Sequence, residues 1–233
     1  MNILVIDVGG SHVKVRATNH KTKESVPSGP NMTAKKMVAA VRKLTAGWNF
    51  EAVSIGYPGP VLHGHIVADP HNLGPGWVGF DFKKAFGCPV KIVNDAAMQA
   101  LGSYEGKRML FLGLGTGLGS ALIVDGVLEP MELAHLPYKK GRTYEDYVGE
   151  AGLKRRGKKK WRHSVADIVK RLKTALEADY VVLGGGDVRL LEKLPPGARR
   201  GDNDNAFRGG FRLWDNPRRG AREEPSPAAS PCP

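Results

Sequence analysis

Apolar positions begin as an unbroken run, Ile3 to Ile6, that Asp7 ends. After Gly9, Gly10 and Ser11 they return at period two, with Val13, Val15 and Ala17 alternating with His12, Lys14 and Arg16. A short apolar run and a two-residue alternation are both strand patterns, so the glycine turn joins strand to strand. A dinucleotide fingerprint is excluded, because its glycine-rich turn must open a helix. Over residues 33–47 the period lengthens: Met37, Val38, Val41 and Leu44 share one face, Thr33 is placed as N-cap, and an amphipathic helix is predicted. EAVSIGYPGPVLHGHIV reads as two strands around Pro58-Gly59. A loop rich in Gly, Pro and Trp follows, then the strand PVKIV and a helix opened by Asn94-Asp95.

From residue 109 the opening theme recurs in MLFLGLGTGLGSALIVDG: an apolar strand, a turn at Gly115-Thr116-Gly117, and a second strand closed by Asp125-Gly126. Two strand–turn–strand units about a hundred residues apart predict two similar lobes facing a cleft, each offering backbone N–H groups to one polyphosphate. The expected divisions are 1–107, 108–214 and a disordered tail, 215–233, whose Pro, Ser, Ala and charge content buries no core. Helices are expected over 144–152 and 163–178. Ser164 and Asp167 have capping-box spacing at the start of the second, and Val165, Ile168, Val169, Leu172 and Leu176 give it an apolar stripe. YVVLGGGDVRLLEKL reads as a strand, a triple-glycine turn and a helix.

Composition narrows the class. The 233 residues are 41% apolar and 25% charged, as in a globular protein. No apolar stretch approaches the roughly 20 residues of a membrane helix, and MNILVIDVGG lacks a basic leader, so a cytoplasmic protein without a membrane partner is expected. Cys88 and Cys232 have no disulfide framework or metal-ligand spacing. Net charge is +12, and residues 154–173, with ten Lys/Arg against one Asp, hold most of it. Such a block concentrates a polyanion by screened Coulomb attraction; nucleic acid, an acidic partner and a phosphate polymer are the candidates.

DVGGSHVKV, NDAAMQALG, LGLGTGLGSALIVDG, ELAH and VVLGGG occur in the order and rough spacing of the ROK family of sugar kinases, and from residue 3 to about 213 the chain resembles that family's polyphosphate-glucokinase branch. The resemblance implies an α/β, two-lobed, actin-like or hexokinase-like (ribonuclease H-like) fold. It implies phosphoryl transfer to a hexose hydroxyl, most simply from glucose to glucose 6-phosphate, with homodimers common in the family. Phosphoryl transfer builds charge on non-bridging oxygens, so it needs backbone donors, a cation and a carboxylate that positions the attacking hydroxyl. Asp7 is the candidate ligand of Mg2+. Gly9, Gly10, Ser11 and Lys14 are candidate phosphate contacts, and Gly115, Thr116 and Gly117 grip the donor from the other lobe. Asp95 is the expected general base, of ordinary acidity and favoured as the anion by a helix N-terminus. Read alone, Asn94 and Asp95 are equally N-cap residues.

The family pattern further points to Asn72, Asn94, Glu132, His135 and Glu145 for the sugar. Many ROK proteins carry a cysteine-rich zinc loop after that histidine; HLPYKKGRTYEDYV has no cysteine, and zinc is not expected. In ATP-using relatives the triple glycine, here Gly184, Gly185 and Gly186, lies near the nucleoside, which keeps ATP open as donor. Lys158, Lys159 and Lys160 suggest a basic groove for polyphosphate, whose binding weakens with salt. A nucleic-acid module would need stacking residues, and the basic block offers only Trp161, so nucleic acid is not an expected partner. A ROK-type regulator would carry a helix-turn-helix before the motif at residue 7, where there is no room. The remaining alternative is a catalytically degenerate ROK-type sugar-binding protein with a compressed final third.

Overall fold

The computed structural model describes residues 1–202 and 204–215; apart from Asp215, the expected disordered tail lies outside the described residues. The first part of the chain forms β1 (Ile3–Val8), β2 (His12–Ala17), β3 (Glu24–Pro27), α1 (Ala34–Leu44), β4 (Ala52–Tyr57), the ribbon β5 (Val61–Leu62) and β6 (His65–Ile66), α2 (Phe82–Phe86), β7 (Val90–Asn94) and α3 (Asp95–Ser103). The remainder forms β8 (Arg108–Leu114), β9 (Leu118–Val124), β10 (Val127–Met131), the ribbon β11 (Pro137–Lys139) and β12 (Arg142–Thr143), α4 (Glu145–Val148), α5 (Glu150–Ala175), β13 (Tyr180–Gly184), β14 (Ala198–Arg200) and α6 (Asn205–Arg212).

Two five-stranded sheets result, with orders β3-β2-β1-β4-β7 and β10-β9-β8-β13-β14. Their internal directions match. In each, the first strand runs antiparallel to the second and parallel to the strand on its other side. The recurrence seen along the chain is therefore a recurrence of topology.

Each sheet buries both faces. In the first, Leu4, Ile6, Val13, Val15, Val53 and Ile55 pack on Met37, Val38 and Val41 of α1. Thr33 caps that helix by accepting the Lys36 N–H, as its sequence predicts. On the opposite face Ile3, Val5 and Ala52 meet Met98 of α3 and Ala206 and Phe207 of α6. Each such aliphatic side chain, fully buried, contributes about 1.5–3 kcal/mol. Helix α3 also turns Ala96, Ala97 and Ala100 toward Met109, Phe111, Ala121 and Ile123 of the second sheet. It thus lies between the two sheets. At its far end it crosses α6 where Gly102 and Gly209 let the backbones meet; a Cβ on either would collide with the other helix.

Three expectations are corrected. Ser164 does not start a helix: α5 already runs from Glu150, broken only at Gly157 (φ 73, ψ 159). The apolar stripe begins a turn earlier than expected because Trp161 is fully buried with Val165 and Ile168. Ser164 Oγ instead donates to the Lys160 carbonyl at 3.2 Å. The helix expected after the triple glycine is a single 3-10 turn, Gly186–Leu190, held by Arg162, whose Nε donates to the Leu190 carbonyl at 2.7 Å. Helix α6 had no sequence reading; its two glycines disguise a helix that exists to cross α3.

Asp167, expected as a cap partner, accepts from Tyr138 Oη (2.5 Å), Lys139 Nζ (2.8 Å) and Arg171 Nε (3.1 Å), tying α5 to β11. These donors hold its carboxyl well below the usual carboxylate range. A depressed acid stabilises the fold above its unfolded value and loses that contribution as pH falls toward the folded one. Asp167→Asn is therefore expected to lower Tm by about 2–6 °C at pH 7. The difference from wild type should shrink as the pH falls below about 4; a difference independent of pH in calorimetric melts would refute this account.

Candidate active site

The carboxyl ends of β1, β4 and β7 bring the first candidates together. Asp7 pairs in register with Gly56, and Tyr57 with Asn94. The space where a Cβ on Gly56 would stand lies 3.6 Å from the Asp95 Cα. Asp7 and Asp95 thus flank one point of the sheet edge. Burial raises the Asp7 carboxyl above its ordinary value, and Lys14, whose Nζ lies 3.9 Å from Asp7 Oδ2, tempers the shift. Asp95 is pushed up to about 7, first by burial and then by the negative charge of Asp7, against the hydrogen bond it accepts from the Ala96 N–H at 2.7 Å. This corrects the expectation of an Asp95 of ordinary acidity. The helix N-terminus favours the anion, but desolvation and a like charge outweigh it.

The turn between β1 and β2 carries Gly9, Gly10 and Ser11. The Gly9 N–H donates to the His12 carbonyl (3.0 Å), and Ser28 Oγ donates to the Gly9 carbonyl (2.5 Å). Sequence reasoning missed Ser28, because its partner lies 19 residues away and no local pattern marks it. Asn72 sits beside this turn: a Cβ on Gly10 would be 3.5 Å from its Cβ. Its loop is organised by Asp69, also missed, which accepts backbone N–H groups of Gly76 (3.2 Å), Trp77 (2.8 Å) and Val78 (3.4 Å). The Asp69-Pro70 dipeptide, a turn initiator, was the available signal. Asn94 caps α3: its Oδ1 accepts from the Ala96 and Ala97 N–H groups, and its Nδ2 donates to the Gly59 carbonyl at 3.0 Å. The cap reading is thus realised, and one Asn94 N–H is left for a ligand.

The second turn, Gly115 to Gly117, meets this group through α3. Ala96, next to Asp95, lies against β9, where a Cβ on Gly119 would be 2.7 Å from the Ala96 Cβ. Glu145 Oε2 accepts the Leu118 N–H at 3.0 Å, and the Glu150 N–H donates to the Gly115 (3.0 Å) and Thr116 (3.2 Å) carbonyls. Gly184 pairs with Gly113 in register, and Gly185 packs on the Leu114 carbonyl, so the triple glycine adjoins the same turn. Asp187, unmarked in the sequence reading although it follows Gly186 directly, is raised by burial, with Arg189 lowering it and Glu150 adding to the rise.

Other candidates stand further out. Glu132 and His135 are exposed, and their side chains make no hydrogen bond among the described residues, although the Glu145 N–H donates to the Ala134 carbonyl between them at 3.0 Å. Lys158, Lys159 and Lys160 are exposed just past the break in α5 and form no ion pair among the described residues. Trp161 faces the core and donates to the Val148 carbonyl at 2.7 Å, so it presents no surface for stacking. Among the described residues no three His, Cys, Asp or Glu are grouped to hold a metal, and no helix is long and apolar enough to cross a membrane.

Two sheets of repeated topology, with acids and glycine turns at the ends that meet through a shared helix, define an actin-like, hexokinase-like fold. The inorganic polyphosphate/ATP-glucomannokinase of Arthrobacter sp. strain KM has it too, with a TM-score of 0.75 at 23% identity over 90% of this chain and 96% of that one. So does a ROK family glucokinase from Streptomyces griseus solved with glucose and AMPPNP, with a TM-score of 0.70 at 18% identity over 91% and 99%. A polyphosphate glucokinase of Mycobacterium tuberculosis (strain CDC 1551 / Oshkosh) is 28% identical over 216 residues, 82% of this chain and 80% of its own. The ROK family model matches residues 3–129, and the chain belongs to that family.

A raised acid destabilises the fold once its proton is lost. The penalty for burying ionised Asp95 is full above its folded value near 7 and fades as pH falls toward the unfolded value near 4. In metal-free protein, Asp95→Asn, which keeps an acceptor for the Ala96 N–H, is expected to melt above wild type at pH 8. That advantage should narrow by pH 5; an advantage that grew on acidification would contradict the assignment.

Proposed function

We propose that the protein is a sugar kinase that transfers the terminal phosphoryl group of polyphosphate or ATP to a hexose, with glucose going to glucose 6-phosphate. The observation that carries this reading is the placement of Asp7 and Asp95 on either side of Gly56 at one sheet edge, where the first glycine turn begins. A carboxylate held there accepts a proton late, as the sugar oxygen bonds to phosphorus. Asp95 would orient the hydroxyl and take that proton. Asn72 beside the first turn and the remaining Asn94 N–H would bind sugar hydroxyls, with Glu132 and His135 supplied by the segment after β10 and Glu145 by the start of α4. Hydrogen-bonded recognition of this kind rejects analogues that lack the matching hydroxyl.

Gly9, Gly10, Ser11 and Lys14 would meet the donor from one side, and Gly115, Thr116 and Gly117 from the other. Mg2+ fits the acids present. It takes one or two carboxylates and completes its shell with water and substrate phosphates, and among the described residues Lys14, 3.9 Å from Asp7, is the one cation paired with either acid. Asp7 would hold the ion, whose charge would offset that of the phosphate oxygens.

Gly184, Gly185 and Gly186 beside the second turn support ATP as donor. Two features support polyphosphate: α5 starts on that turn through the Glu150 N–H, and it leads to Lys158, Lys159 and Lys160, which form no ion pair among the described residues. Relatives named as polyphosphate glucokinase and as glucokinase agree with a sugar phosphotransferase.

Asp95→Asn is expected to reduce kcat by roughly 10²–10⁴-fold with hexose affinity little changed. Equal activity in a coupled glucose 6-phosphate assay would remove Asp95 as the base. Replacing Lys158, Lys159 and Lys160 with Gln should raise KM for long-chain polyphosphate, flatten its salt dependence and leave KM for ATP unchanged. Unaltered polyphosphate kinetics would end the groove proposal.

A further inference from the structure

The second glycine turn is clamped from both sides by one short segment. Glu145 opens α4, and its Oε2 accepts the Leu118 N–H at 3.0 Å, at the exit of the turn. Its own carbonyl accepts the Gly149 N–H at 2.8 Å, and the next residue, Glu150, donates to the Gly115 and Thr116 carbonyls at the entrance. The carboxylate lies so close that a Cβ on Gly117 would collide with Oε2. Gly117 does not have a positive φ, so its lack of a side chain serves this approach and not the backbone angle. Upstream, the Glu145 N–H is anchored on the Ala134 carbonyl, in the segment that carries Glu132 and His135. Glu145 Oε1 makes no hydrogen bond among the described residues and remains open to a ligand.

We propose that Glu145 is a positioning residue for the donor: the Glu145–Leu118 contact, made possible by Gly117, sets the shape of the second phosphate turn. This role differs from sugar contact, which would use Oε1, and it rests on the reading of that turn as the donor site. The Gly115 N–H is already given to the Gly117 carbonyl at 3.3 Å, so the Thr116 and Gly117 N–H groups are the donors left for an anion, and without the carboxylate the turn loses one of the two clamps that hold them toward it. An anion-binding turn depends on their convergence, since each N–H carries only a partial charge. The glutamate is stationed beside an anion site because it spends an oxygen on holding the turn open; its cost in repulsion is reduced because that oxygen already accepts an N–H.

The test measures binding of inorganic tripolyphosphate and of AMPPNP by calorimetry, on the full chain, with Mg2+ and without hexose. Glu145→Ala and Gly117→Ala should each weaken both probes by roughly tenfold or more, the scale of a lost hydrogen bond to a charged group. Glu145→Gln, which keeps an acceptor for the Leu118 N–H, should stay within about threefold of wild type on the same scale. The double variant, Gly117→Ala with Glu145→Ala, should bind no worse than either single one, because both remove one contact. Unchanged affinity in Gly117→Ala, glutamine as damaging as alanine, or additive losses would each overturn the proposal while leaving the kinase reading intact. A wild-type protein that binds neither probe removes the donor-site reading and this inference with it. Should Glu145→Ala not fold, Gly117→Ala and Glu145→Gln carry the comparison alone.

Discussion

Helix α3 is held between the two sheets, and the placement of the candidate chemistry follows from that. Alanines 96, 97 and 100 let the second sheet approach on one side, and Met98 fills the first sheet on the other. A larger residue on the alanine face would push the sheets apart, since close-packed interiors have no spare volume. With the helix so confined, its first residue, Asp95, comes to rest at the edge where β1, β4 and β7 end. The crossing with α6 through Gly102 and Gly209 fixes the other end, and Arg212 Nη1 reinforces it by donating to the Leu101 (2.7 Å) and Tyr104 (3.0 Å) carbonyls. The cation sits at the end of the helix dipole where it is favourable.

Electrostatics divides the molecule into an acidic sheet edge and a basic helix. Asp7 and Asp95 stand at the first sheet's edge with their pKa values raised by burial, whereas beside the second turn Asp187 is tempered by Arg189 and Glu150 is paired with Lys154. Most of the net positive charge lies on α5. Much of that charge is structural: Arg156 stacks 4.4 Å from the Tyr147 ring, Lys154 pairs with Glu150 at 2.5 Å, and Arg162 pairs with Glu192 at 2.6 Å. Lys158, Lys159, Lys160 and Lys170 are exposed and make no ion pair among the described residues.

Residues of the first turn, the second turn and the start of α3 were legible from the chain because each is announced by neighbours: an apolar run, then glycines or an acid, then a new period. Thr33 was readable for the same reason, as a cap next to its helix. Ser164 was misread because local spacing cannot tell a cap from a mid-helix serine bonded to the carbonyl four residues back. Helix α6 was missed because its glycines lower helix propensity and earn their place only against α3, about a hundred residues earlier in the chain.

What the sequence determined by itself was local: strand and helix periods, the two glycine turns, the acids at strand ends and the cationic block. These depend on contacts within a few residues, which covalent geometry and side-chain periodicity impose. The tertiary structure decided the acidity of Asp95, the bond of Asn94 Nδ2 to the Gly59 carbonyl, the grip of Glu145 on the second turn and the burial of Trp161. Each of these depends on what lies across space. A carboxyl's affinity for its proton, or a polar group's freedom to bind a ligand, is set by desolvation and by partners from distant parts of the chain.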